Sequence, residues 1–233
     1  MKNLILLSLT GMVAASLTAA ESSPQTAIKN ATTQLGEKPN YSWTAKSRSE
    51  AGGIDWNQGP TEGKTEKGGY TFFSVTFNDN PIECAFKGTK SAIKIESDWA
   101  SSDELTGDLE WVAARLKAFK APAAEAADLL SRTKDLKAAE EGVYSADLTE
   151  EGVKKLLSTM GRGGQTPEVK NPKGWAKFWV KDGALTKYEF NLQGKFNGPD
   201  GDPITFNRTT TVEIKNVGAT TVHVPDDAKK KLA

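Results

Sequence analysis

The 233 residues contain one cysteine and one histidine. The single thiol, Cys84, has no partner for an internal disulfide, so stability has to come from a packed core. The single imidazole, His223, is all that a histidine-dependent triad or a histidine-rich metal site could rest on. Net charge is also lacking, because 30 lysines and arginines balance 30 aspartates and glutamates. That balance removes the long-range field that gathers nucleic acid or anionic lipid, and it fits a small or uncharged partner. After residue 20 no stretch approaches eighteen uninterrupted apolar residues, so the mature chain is not expected to span a membrane. No Gly-x-Ser-x-Gly, phosphate-cradling loop, dinucleotide fingerprint or His-Glu-x-x-His occurs, and the sequence calls for no cofactor.

What is present begins with a leader. Lys2 precedes the short apolar runs Leu4 to Leu9 and Gly11 to Leu17, and the small residues Thr18, Ala19 and Ala20 follow. This layout predicts a secretory signal over residues 1–20 and a single mature domain over 21–233, placed in the periplasm or secreted. No cysteine lies near the expected cleavage point, so a lipid-modified N-terminus is not expected.

Helical spacing of Ala27, Ile28, Ala31 and Leu35 opens the mature chain. From Tyr41 and Trp43 the period changes to two. Phe73, Val75 and Phe77 share one side of a strand, Asn78-Asp79-Asn80-Pro81 is a turn, and the strands Ile82 to Phe86 and Ala92 to Glu96 return as hairpins. Gly52 to Gly69 reads as a long loop or twisted edge hairpin. The middle is helical, with Leu109, Val112, Ala113, Leu116 and Phe119 on one seam and Asp108 as its cap. Pro122 opens the next helix, through Ala126, Leu129 and Leu130. Gly142 to Leu148 reads as an isolated strand, and Thr149 caps a helix with Val153, Leu156, Leu157 and Met160, stopped at Gly161.

The end is again strand-rich. Asp182-Gly183 joins Trp175–Lys181 to Ala184–Phe196 in a tight hairpin. Ile204 to Ile214 follows, and Thr220 to Val224 is expected to pair back on it. About nine strands with helices grouped between two blocks of hairpins predict an α+β fold, a curved antiparallel sheet or incomplete β-barrel covered on one face by helices.

This order, from export signal to a closing Val222-x-Val224-Pro225 segment, resembles the periplasmic lipoprotein-carrier fold of the LolA and LolB type, also seen in mycobacterial lipid-binding lipoproteins. The resemblance covers element order along nearly the whole mature chain and brings no residue motif. It implies a bent, incomplete barrel closed by helices, with an apolar cavity that holds acyl chains.

Among the polar residues Arg208 stands out. By alternation it shares a face with Ile204, Phe206, Val212 and Ile214, so it points inward and needs either an acidic partner or an anionic head group. Trp175 and Trp179 occupy one face of a strand whose other face carries Ala176, Phe178 and Val180, so either they belong to the core or they line a pocket. Trp111 falls off its helix seam and marks a helix edge or a cavity rim. Arg208, Phe206, Trp175, Trp179 and Trp111 are therefore the candidate ligand-binding residues. Asp98, Asp103 and Glu104 near Trp99 are the best local carboxylate group, yet Ser101-Ser102-Asp103-Glu104 is better explained by polarity at a helix start. Cys84 shares a face with Ile82 and Phe86 and reads as a buried filler. Gly161-Arg162-Gly163-Gly164 follows a helix and reads as its stop. The leading expectation is a non-enzymatic binder of an apolar small molecule or lipoprotein acyl chain. An envelope interaction module with a filled core, or a carbohydrate-binding or carbohydrate-active protein, stays open beside it.

Overall fold

The computed structural model describes residues 23–51, 54–57, 59–77, 80–158, 168–197 and 202–233. The expected leader, Asn78-Asp79, Met160 and Gly161-Arg162-Gly163-Gly164 lie outside the described residues.

Chain order is α1 (Pro24–Glu37), β1 (Asn40–Ala51), β2 (Ile54–Asn57), β3 (Thr61–Glu66), β4 (Tyr70–Phe77), β5 (Asn80–Lys87), β6 (Lys90–Ile95), β7 (Asp98–Ser101), α2 (Glu110–Ala118), α3 (Pro122–Ser131), β8 (Thr133–Glu140), β9 (Val143–Leu148), α4 (Glu150–Ser158), β10 (Lys170–Lys181), β11 (Ala184–Asn197), β12 (Pro203–Lys215) and α5 (Asp226–Lys231). The twelve strands make one antiparallel sheet in the order β7-β6-β5-β4-β3-β1-β12-β11-β10-β9-β8, with β2 paired to the far part of β1. The path starts at β7 and stops at β8, so among the described residues the curved sheet is not closed.

Alternation sorts the side chains onto two faces. Tyr41, Trp43, Cys84, Phe86, Ala176, Phe178, Tyr188, Leu192, Val212 and Ile214 are buried on the inner face, under α1, α2, α3 and α4. Helix α4 approaches closely because the strands beneath it carry glycine: a Cβ on Gly174 would stand 3.1 Å from Val153 and one on Gly194 3.3 Å from Leu157. On the outer face α5 and the segment before it cover only one end, where Val224, Ala228 and Leu232 pack on Ala85, Ala92 and Trp99.

Several local expectations hold. Asp182 and Gly183 take φ of 51° and 76°, as a two-residue turn matched to strand twist requires. Thr149 Oγ1 accepts the Gly152 amide at 3.0 Å and caps α4.

Others are corrected. Val143–Leu148 is not isolated, since β8 and β10 flank it. Thr220 to Val224 is no strand: the Thr220 amide donates to Asn40 Oδ1 at 2.7 Å, and Val224 is drawn to the outer cluster. Asp108 lies in a short 3₁₀ turn (Gly107–Leu109), and α2 has no side-chain cap. Leu109 is 39% exposed because that turn swings it off the seam.

Candidate ligand-binding site

Four aromatic rings from separate elements meet on the inner face. Phe119, in the link between α2 and α3, stacks on Phe86 at 4.4 Å between centroids and leans on Phe73 at 5.1 Å. Trp43 closes the group at 5.9 Å from Phe73 and 6.3 Å from Phe119. Where this cluster reaches solvent, a groove of about 320 Å³ runs between the α2–α3 link and the β5–β6 turn, lined by Phe86, Leu116, Phe119, Ala121 and Thr89 among others. That size falls at the low end of the roughly 300–1,000 Å³ usual for small-ligand sites.

A polar group is enclosed elsewhere on the same face. The Tyr188 hydroxyl donates to the Glu125 carboxyl from α3, and Tyr188 is fully buried. Desolvation lifts Glu125 above the usual carboxylate range, against the Tyr188 hydrogen bond and the charges of Arg208 and Lys120, which lower it. Tyr188 is raised well above the ordinary phenol value by burial and by the neighbouring carboxyl. Burial lowers Arg208, while the Glu125 charge opposes that shift. The Arg208 Nη2–H donates to Ser47 Oγ at 3.1 Å, and Ser47 shares a hydrogen bond with Thr210 at 3.0 Å. Arg208 thus points inward and lies in the field of an acid, one of the two arrangements its alternation demanded.

Phe206 is half-buried two residues before Arg208, packed on the main core and 6.5 Å from Phe196. Trp111 is half-buried on α2, with the Arg115 guanidinium 4.8 Å over its ring, and the Arg115 charge reaches Arg208. Arg208 and Phe206 therefore share the inner face of β12, and Trp111 stands on α2 beside Arg115. Trp175 and Trp179 are not, because alternation turns them outward opposite the buried Ala176 and Phe178. Trp179 lies under Lys187, whose Nζ is 4.2 Å from the ring centroid.

Glu125 escaped sequence reasoning. Its signal was an acid sharing a helix face with Pro122 and Leu129, three and four residues away. Tyr188 was legible only as one more inward residue beside Phe190 and Leu192.

The remaining candidates are tied up structurally. Asp103 pairs with Lys117 at 2.8 Å. Glu104 pairs with Lys231 at 2.7 Å, and the Lys231 hydrogen bond holds its carboxyl below the usual range. Cys84 is buried, and desolvation pushes its thiol up to about 12. His223 is exposed. Among the described residues no three His, Cys, Asp or Glu side chains gather as a metal site, and no helix is long and apolar enough to cross a membrane.

No protein family and no curated protein matches the chain. Solved structures do. LprF from Mycobacterium bovis is similar over 88% of this chain and 97% of its own, at 12% identity and a TM-score of 0.45. A LolA superfamily protein from Nitrosomonas europaea is similar over 88% and 96%, at 10% identity and a TM-score of 0.36. A DUF1329 family protein from Desulfovibrio piger shows the same coverage and identity at a TM-score of 0.35.

Proposed function

We propose that this is an exported, non-enzymatic protein that holds a hydrophobic ligand, a lipid or lipoprotein acyl chain, between the inner sheet face and helices α2 and α3. The observation that carries the reading is the groove that Phe86, Leu116 and the half-buried Phe119 line above an aromatic cluster. Apolar surface buried there contributes about 25 cal/mol per Å². A chain entering along Phe119 meets aromatic faces on one side and the polar Thr71, Thr89 and Lys117 on the other. On the same inner face Arg208, two residues from Phe206 and in the field of Glu125, is the cation suited to an anionic or hydrogen-bonding head group. The leader over residues 1–20 supports export to the periplasm or beyond.

The test is a titration of lipid-stripped protein with cis-parinaric acid, beside native mass spectrometry of the protein as purified. Wild type is expected to take up the probe, and Ala121→Trp, which fills the groove from the half-exposed start of α3, to weaken uptake about tenfold with Tm unchanged. Wild-type protein that carries no lipid and takes up no probe overturns the reading.

A further inference from the structure

Among the described residues no helix covers the outer face of β1, β12, β11 and β10, since α1 to α4 pack on the inner face and α5 sits at the β6–β7 end. Its residues form continuous rungs across the strands. One rung runs Arg48, Thr209, Asn191, Trp175 and Asp147, and the next runs Lys46, Thr211, Glu189, Lys177 and Ser145. At the β1 end these rungs border an open trough of about 470 Å³, lined by Lys46, Arg48, Pro60, Glu189, Thr209 and Thr211. At the β10 end stand Trp175 and Trp179, about 13 Å apart by strand rise.

Three features restrict what fits here. Cations reach the trough while its acids are engaged: Lys46 and Arg48 are exposed, Glu189 accepts the Thr211 hydroxyl at 2.6 Å, and nearby Glu213 pairs with Lys215 at 3.0 Å. Between cations and indoles lies a carpet of amides already ordered by mutual bonds, with Asn191 Nδ2 donating to Asn207 at 2.8 Å and Gln193 Nε2 donating to Asn191 at 2.9 Å. Both tryptophans are half-buried in mid-strand without protruding, and Trp175 offers ring surface while Lys187 covers Trp179. Recessed indoles cannot insert into a bilayer, whereas a flat ring of C–H groups can lie on them.

We infer that this face binds an acidic glycan, a polyhydroxylated chain bearing carboxylate or phosphate groups. The anionic groups seat at Lys46 and Arg48, hydroxyls bond along Thr209, Asn207 and Gln193 above the buried Asn191, and a sugar ring stacks on Trp175. The chain's zero net charge does not oppose this, because recognition here is local and short-ranged. This inference uses the face opposite the proposed acyl site and does not depend on it.

The experiment is calorimetric titration of the full protein with polygalacturonate and with a phosphomannan, using dextran as the uncharged control. Binding of at least one acidic glycan is expected, weakening as salt rises, with dextran about tenfold weaker or silent. Trp175→Leu, which keeps an apolar side chain but removes the ring, and the exposed double substitution Lys46→Gln with Arg48→Gln are each expected to weaken binding about tenfold while leaving cis-parinarate uptake unchanged. Failure of both glycans to bind, unchanged affinity in both variants, or stronger binding to phosphatidylglycerol vesicles than to either glycan overturns the inference.

Discussion

Gly63 on β3 faces Trp43 on β1 directly across the ladder. A methyl group at position 63 would stand 2.1 Å from two indole carbons and 2.7 Å from a third, where unstrained carbon contacts lie near 3.5–4.0 Å. The ring has nowhere to go. Its Nε1–H donates to Thr65 Oγ1 at 3.2 Å, and Phe73 and Phe119 press on it from the core side. Gly63→Ala must therefore push the strands apart or expel an indole that is 5% exposed. Overpacking of this kind costs about 1–3 kcal/mol, and a contact this short with so little slack belongs at the upper end. With a urea m-value of about 2 kcal/mol/M, the unfolding midpoint should fall by about 1 M, with altered near-ultraviolet dichroism from Trp43. The control is Gly88→Ala, at φ of 60° with open space around the added Cβ, where backbone strain alone costs about 1 kcal/mol. If Gly63→Ala unfolds no earlier than Gly88→Ala, the indole does not lie on Gly63 and the packing argument fails.

Glu125 carries a pH prediction. Its folded pKa is raised above the model value of 4.5, so the folded state keeps this proton longer than the unfolded chain. The resulting stability is full below the unfolded value and is lost as pH rises through the folded one, at up to about 1.4 kcal/mol per pH unit. Glu125→Gln should flatten that decline in Tm profiles from pH 4 upward, and parallel profiles for wild type and variant would refute it. Cys84, with its thiol at about 12 and buried, should resist Ellman's reagent at pH 8 in the native protein and react once guanidinium unfolds the chain. Rapid native labelling would mean that the inner face opens there.

Much of this fold could be read from period and punctuation, because its strongest local signals are self-contained. Asp182-Gly183 needs no tertiary information to form its turn, and Thr149 needs only the amide three residues on. Arg208 was placed inward by alternation alone, and Trp175 and Trp179 were placed opposite Ala176 and Phe178 in the same way. Period cannot say which face the helices will choose, so the indoles ended on the open side. Strand β8 was missed because Thr133–Glu140 is mostly exposed and polar, leaving no apolar alternation to detect. Thr220 to Val224 deceived in the opposite sense. Its β-branched alternation serves a segment held by Asn40 and an apolar patch, with no ladder of its own. The Glu125–Tyr188 contact joins a helix to a strand 63 residues away, and no local pattern encodes such a meeting.

The seam between β1 and β12 joins the two ends of the chain in the middle of the sheet, with Ser42 reaching Lys215 across a separation of 173 residues. Each half can build hairpins from neighbouring segments, but the halves become one surface only when β12 (Pro203–Lys215) has arrived. Loops that long make closure slow. A growing polypeptide therefore stays unlocked until β12 is delivered, and only then do the two sets of hairpins set into a single wall.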